Sequence, residues 1–157
     1  MTARGVWTEE LETPERATRD LEKILEIEPE NGRAATQLIP LYEARNDYRK
    51  LPDVLQTALS QTESPEERFE LLRKLASIEI QNTREYESGL THIGDALEIE
   101  PTDAESIELA EQAASRSEAW SRLAELYGYS REALYSSGEE ARWLELTRKH
   151  ARLLESE

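Results

Sequence analysis

Cysteine is absent from this 157-residue sequence. No disulfide frame can brace the fold, and no thiolate can hold a metal. That absence is compatible with any compartment. Aromatic residues make up only 6%, and the apolar share of 38% is modest for a chain that must fill one thick core. A layered structure, in which each element buries a single stripe, needs less. Runs of β-branched residues are missing, and Gly and Pro number six each, so most of the chain is free to be helix. No apolar run approaches the length of a membrane span, and the opening residues MTARGVWTEE carry no apolar signal region.

Basic charge is also scarce. Nineteen Lys and Arg face 34 Asp and Glu, for a net charge of −15. Nucleic acid is bound through phosphate neutralisation by Lys and Arg, so it is not expected as a partner. The same holds for an anionic membrane surface. The balance favours solubility and, among proteins, a basic partner. With no export signal read, the expected location is cytoplasmic.

What the sequence does contain is repetition. LEIEP occurs at residues 25–29 and again at 97–101, and Pro65 lies 36 residues from Pro29 and from Pro101. A fixed period of this size marks a repeat architecture. Before each proline, small or apolar residues recur at a spacing of four then three: Ala17, Leu21, Ile24; Leu51, Leu55, Ala58; Gly89, Ile93, Ala96. Each set draws one stripe on an α-helix. Gly89 in its slot admits a second backbone at close range. After the prolines, further helices offer Ala35, Leu38, Ile39 and Tyr42; then Leu72, Leu75, Ala76 and Ile78; then Ile107, Ala110 and Ala114. Ser64, Pro65, Glu66 and Glu67 spell an N-cap, a first-turn proline and acids on the helix dipole. Pro40 and Pro52 fall inside predicted helices, where each removes a backbone hydrogen bond. A start near Arg49 would place Pro52 in a first turn instead.

Paired helices of about 14 residues that cannot bury a stripe alone stack into an α-solenoid. A single heptad coiled coil is the alternative, and the prolines and small seam residues weigh against it. The chain resembles the tetratricopeptide-repeat family over roughly residues 14–130. Residues 35–65 carry the pattern through Ala35, Leu38, Ile39, Tyr42, the turn Asn46–Tyr48, then Leu51, Leu55, Ala58 and Pro65. Residues 102–130 carry it through Ile107, Ala110, Ala114, Trp120, Leu123 and Tyr127. Leu51 stands where the family usually has a small residue. The resemblance implies one all-α domain over residues 1–157, a right-handed solenoid with a period near 36. Its repeats would be a partial 1–29, then 30–65, 66–101 and 102–137, and a partial or capping helix at 138–157.

The family's usual binding surface is the concave face, lined by the first helix of each pair. Carried over by position, it consists of Arg33, Thr36, Pro40 and Glu43; Glu70, Arg73, Lys74 and Ser77; and Glu105, Glu108, Gln112 and Ser115. Some members clamp a peptide carboxylate with Lys, Asn and Arg there; this row has no Asn and no basic cluster beyond Arg73–Lys74. A segment carrying Lys or Arg would suit Glu70, Glu105 and Glu108 better. The expectation is a protein-interaction scaffold within a larger protein. The alternative is a self-assembly module that pairs through its ends as a weak homodimer.

Catalytic signals are not found. His92 and His150 lie on different repeats, and no metalloprotease helix, phosphate loop or nucleophile elbow is spelled. The pairs Glu9–Glu10, Glu66–Glu67 and Glu139–Glu140 read as solvated helix faces. No catalytic residue, cofactor or metal is expected. Trp120, Tyr127, Tyr129, Tyr135 and Trp143 lie within 24 residues. Trp120 and Tyr127 read as core aromatics, with a ligand-binding patch as the alternative. Val6–Leu11 looks like the tail of an incomplete first helix, and Trp143, Leu146, His150 and Leu153 draw a stripe on a last helix with no partner after it.

Overall fold

A computed structural model describes residues 3–156, with side chains from residue 13 onward. All regular structure among the described residues is helical. The chain divides into two compact units, Met1–Glu63 and Ser64–Glu157.

The first unit holds α1 (Ala3–Ile27), α2 (Gly32–Ala44) and α3 (Leu51–Gln61). The backbone of α1 runs unbroken through residues 6–11 and past Pro14, so the expected separate first helix is instead continuous with the second; the side chains of residues 3–12 lie outside those described. Its buried face also differs from the expected stripe. Thr18 is buried, Leu21 and Leu25 are half-buried, and Ile24 is 40% exposed. One contact that fixes this rotation is polar: Tyr42 of α2 donates its hydroxyl to Glu22 Oε1 at 2.8 Å. Helix α2 is capped by Asn31, whose side chain accepts from the Ala34 amide, and it buries Ala34, Ala35, Leu38, Ile39 and Tyr42. Helix α3 answers with Leu51, Val54, Leu55 and Ala58. Its start at Leu51 puts Pro52 in the first turn, where a missing amide costs little. The intervening turn needs a left-handed residue, and Asn46, the residue type that tolerates it best after glycine, supplies φ 53°.

The second unit holds α4 (Pro65–Ile78), α5 (Tyr86–Ile99), α6 (Ala104–Ser117), α7 (Trp120–Ser136) and α8 (Glu140–Ser156). Ser64 caps α4 through the Glu67 amide, and Asp103 caps α6 through the Ser106 amide. Each helix packs on the next, and α4 also touches α6, while α5 touches α7. The core is a seam of Phe69, Leu72, Leu75, Ala76, Leu90, Ile93, Ala96, Leu97, Leu109, Ala110, Ala113 and Ala114.

The three prolines do not share one structural place. Pro29 and Pro101 lie in turns, three residues before α2 and α6, whereas Pro65 is itself the first residue of α4. Helices α2, α4, α6 and α8 consequently begin at Gly32, Pro65, Ala104 and Glu140, that is 33, 39 and 36 residues apart. The longest interval contains a π-helical turn, Glu79–Thr83, which extends α4 and ends on Arg84 at φ 62°. Ile78, Glu79 and Ile80 are all buried. The turn packs against both α5 and α6, so successive residues that point in different directions are all covered.

Candidate functional site

Helices α4 and α6 are each the first of a hairpin and lie side by side, so their outward residues form one polar face. Glu70, Lys74, Glu105, Glu108, Gln112 and Ser115 are exposed on it, and Arg73 and Ser77 are half-buried. Arg73 dominates the face. Its guanidinium reaches Glu70 at 3.1 Å, Glu105 at 3.1 Å and Asp103 at 3.7 Å, with Phe69 beneath it at 5.3 Å. Two of the three acids expected to attract a basic segment are therefore already held by an internal cation. Glu108, Gln112 and Ser115 show no internal partner among the described residues. Ser77 donates to Gln81 Oε1 at 3.3 Å.

In the first unit, Arg33, Thr36, Pro40 and Glu43 are all exposed on α2. Thr36 spends its hydroxyl on the Gly32 carbonyl at 2.7 Å. Pro40 sits within α2 without ending it. The Glu70–Arg73 pair, three apart on one helix, was readable from spacing. The reach of Arg73 to Asp103 and Glu105 was not.

The five aromatics separate. Tyr127 is buried, with its ring edge against His150, and burial together with the Glu111 charge pushes its phenol pKa upward. Trp120, expected in the core, is 38% exposed at the first position of α7; Leu123 and Leu126 take the interior places instead. Tyr129, Tyr135 and Trp143 line one groove on the α7–α8 hairpin, of about 720 Å³, with Arg131 between them. Arg131 donates to Thr147 Oγ1 at 3.0 Å and to His150 Nδ1 at 3.1 Å and lies over the Trp143 ring. Burial, and then the Arg131 charge, lower the His150 pKa, so the imidazole is a neutral acceptor. In α8, Leu146 is buried, Trp143, His150 and Leu153 are half-buried, and Leu144 and Leu154 are exposed.

Sequence reasoning missed the most constrained polar cluster. Glu79, in the π-helical turn, has a side chain only 1% exposed. His92 Nδ1 meets its Oε2 at 2.6 Å, and Ser88 donates to its Oε1 at 2.9 Å. The Glu79 hydrogen bond raises the His92 pKa, against an opposing effect of burial. His92 had a visible place beside the seam, but its partner carried no motif. No group of three or more His, Asp or Glu among the described residues is placed to hold a metal ion, and no described helix is long and apolar enough to cross a membrane.

The architecture defines an all-α protein of packed helical hairpins. No protein-family model matches the sequence, and no curated protein matches it.

Proposed function

We propose that the chain is a protein-interaction scaffold of the tetratricopeptide-repeat kind, whose hairpins stack as a right-handed solenoid and dock a peptide along the face of α4 and α6. The stacking reading is supported by next-but-one contacts, α4 with α6 and α5 with α7. The observation that carries the docking reading is that face itself: a contiguous polar surface on which Glu108, Gln112 and Ser115 have no internal partner among the described residues. Arg33, Thr36, Pro40 and Glu43, exposed on α2, would be the first unit's own docking row.

The partner would present Lys or Arg opposite Glu108, with Glu70 and Glu105 adding charge from their places around Arg73. Exposed ion pairs contribute little each, so specificity would rest on register along the face. A lysine-bearing peptide array tests this. Binding that is lost in Glu108→Lys, with helicity retained, supports the reading; equal binding by that variant refutes it.

A second reading is self-assembly. It rests on Tyr135, Leu144 and Leu154, which are 74%, 40% and 55% exposed on the terminal hairpin. In that case copies would pair through α7 and α8 as a weak homodimer.

A further inference from the structure

Beside the π-helical turn lies a groove of about 650 Å³. Gln81, Arg84 and Tyr86 line one side, and Gln112, Ser115 and Arg116 of α6 line the other, over the buried Ile80. No lining residue is acidic, in a chain where acids outnumber bases by 34 to 19. Neither the Arg84 nor the Arg116 side chain has an ion pair or hydrogen bond among the described residues, although the Arg84 backbone N–H donates to the Glu79 carbonyl. Two guanidiniums without a side-chain partner among the described residues thus line one groove that has no acidic lining residue.

Arg84 sharpens the point. It holds φ 62°, a left-handed conformation in which glycine or asparagine would be under less strain. Ser77 occupies the Gln81 carbonyl oxygen, which leaves the Gln81 amide NH₂ as a donor.

We propose that this groove binds an acidic segment of a partner peptide, with Asp or Glu carboxylates on Arg84 and Arg116. A guanidinium offers two parallel N–H donors to a carboxylate, and this charge-assisted pairing is the strong kind. Gln81, Gln112, Ser115 and Tyr86 add neutral donors to the remaining lone pairs. The chain as a whole, at a net −15, repels an acidic peptide, which confines the contact to the groove. The site goes beyond the docking of a basic segment at Glu108. It calls for the opposite charge at the other end of α6.

Isothermal titration of the whole chain with a Glu-rich octapeptide, a Lys-rich octapeptide and inorganic phosphate tests the assignment. The Glu-rich peptide should bind saturably. Arg116→Gln and Arg84→Gly should each weaken it by about tenfold or more, the order of one lost charge-assisted contact. Arg84→Gly also relieves the left-handed strain, so its Tm should hold or rise, which separates loss of the site from loss of the fold. Lys-rich peptide binding that responds to Glu108→Lys and not to Arg116→Gln keeps the two surfaces apart. No binding of the Glu-rich peptide to the unaltered chain, or binding unchanged in both arginine variants, overturns the proposal. Phosphate that binds while the Glu-rich peptide does not would overturn it in favour of a free-anion site.

Discussion

Glu79 is a carboxylate withdrawn from water with both oxygens engaged, one by His92 and one by Ser88. A buried charge is tolerated only when it is paired and hydrogen-bonded, so removing the partner is expensive. His92→Ala should cost about 3–5 kcal/mol, measured by urea unfolding near neutral pH. The pair also sets a pH dependence. The folded-state pKa of His92 lies above its ordinary value of 6.5, because Glu79 favours the charged ring. Its contribution is therefore complete below pH 6.5 and is lost as pH rises through the raised value. The urea midpoint should fall across that window, and the fall should shrink in His92→Gln. A midpoint that rises with pH there would give the linkage the wrong sign. Leu75, fully buried in the seam, illustrates the apolar counterpart. Leu75→Ala should cost about 2–5 kcal/mol, and a cost near zero would mean that the site collapses without a cavity.

Between elements, Gly89 marks a close approach. A methyl group built there would stand 2.5 Å from Ile80 Cγ1 and 3.4 Å from the Ala76 carbonyl oxygen. The π-helical turn places Ile80 over α5, and glycine is what lets it stay. Gly89→Ala should lower stability by about 1–3 kcal/mol in thermal or urea melts, despite the higher helix propensity of alanine. Pro40 gives the opposite expectation. It is exposed inside α2, where it withholds one backbone donor from the helix. Pro40→Ala should leave stability unchanged or raise it, and a loss of several kcal/mol in the same melts would show that α2 depends on the proline geometry. Much of this scale was legible in the sequence. The Ser64-Pro65 start, the close approach at Gly89 and the stripes of α3, α5 and α6 follow from local chemistry and period. The π-helical turn was not legible, because Ile78, Glu79 and Ile80 look like consecutive helix residues until His92, thirteen positions later, supplies the charge partner. Nor was the rotation of α1, since Ile24 continues an apolar period that Tyr42 overrides by drawing Glu22 inward. The outward residues of α4 and α6 were readable as a face from spacing alone. Their electrostatics depended on Arg73 reaching across to the next hairpin, which no local pattern encodes.

For the whole molecule, a net charge of −15 acts at long range on any partner that approaches, and on the proposed reading contacts on α6 would decide which stay. Glu108 and Arg116 stand on the same helix with opposite charges and no internal partner among the described residues. A segment that is basic at one end and acidic at the other would satisfy both. The face of α4 and α6 is the proposed docking surface. Titration of lysine-bearing peptides into the unaltered chain and into Glu108→Lys, with size-exclusion light scattering on the same samples, tests it most directly. Saturable binding to the unaltered chain is expected, weakened about tenfold or more by the substitution, on the order of 1.4 kcal/mol, with helicity and mass unchanged. No peptide bound, together with a mass that rises with concentration, would contradict it and assign the fold to self-assembly.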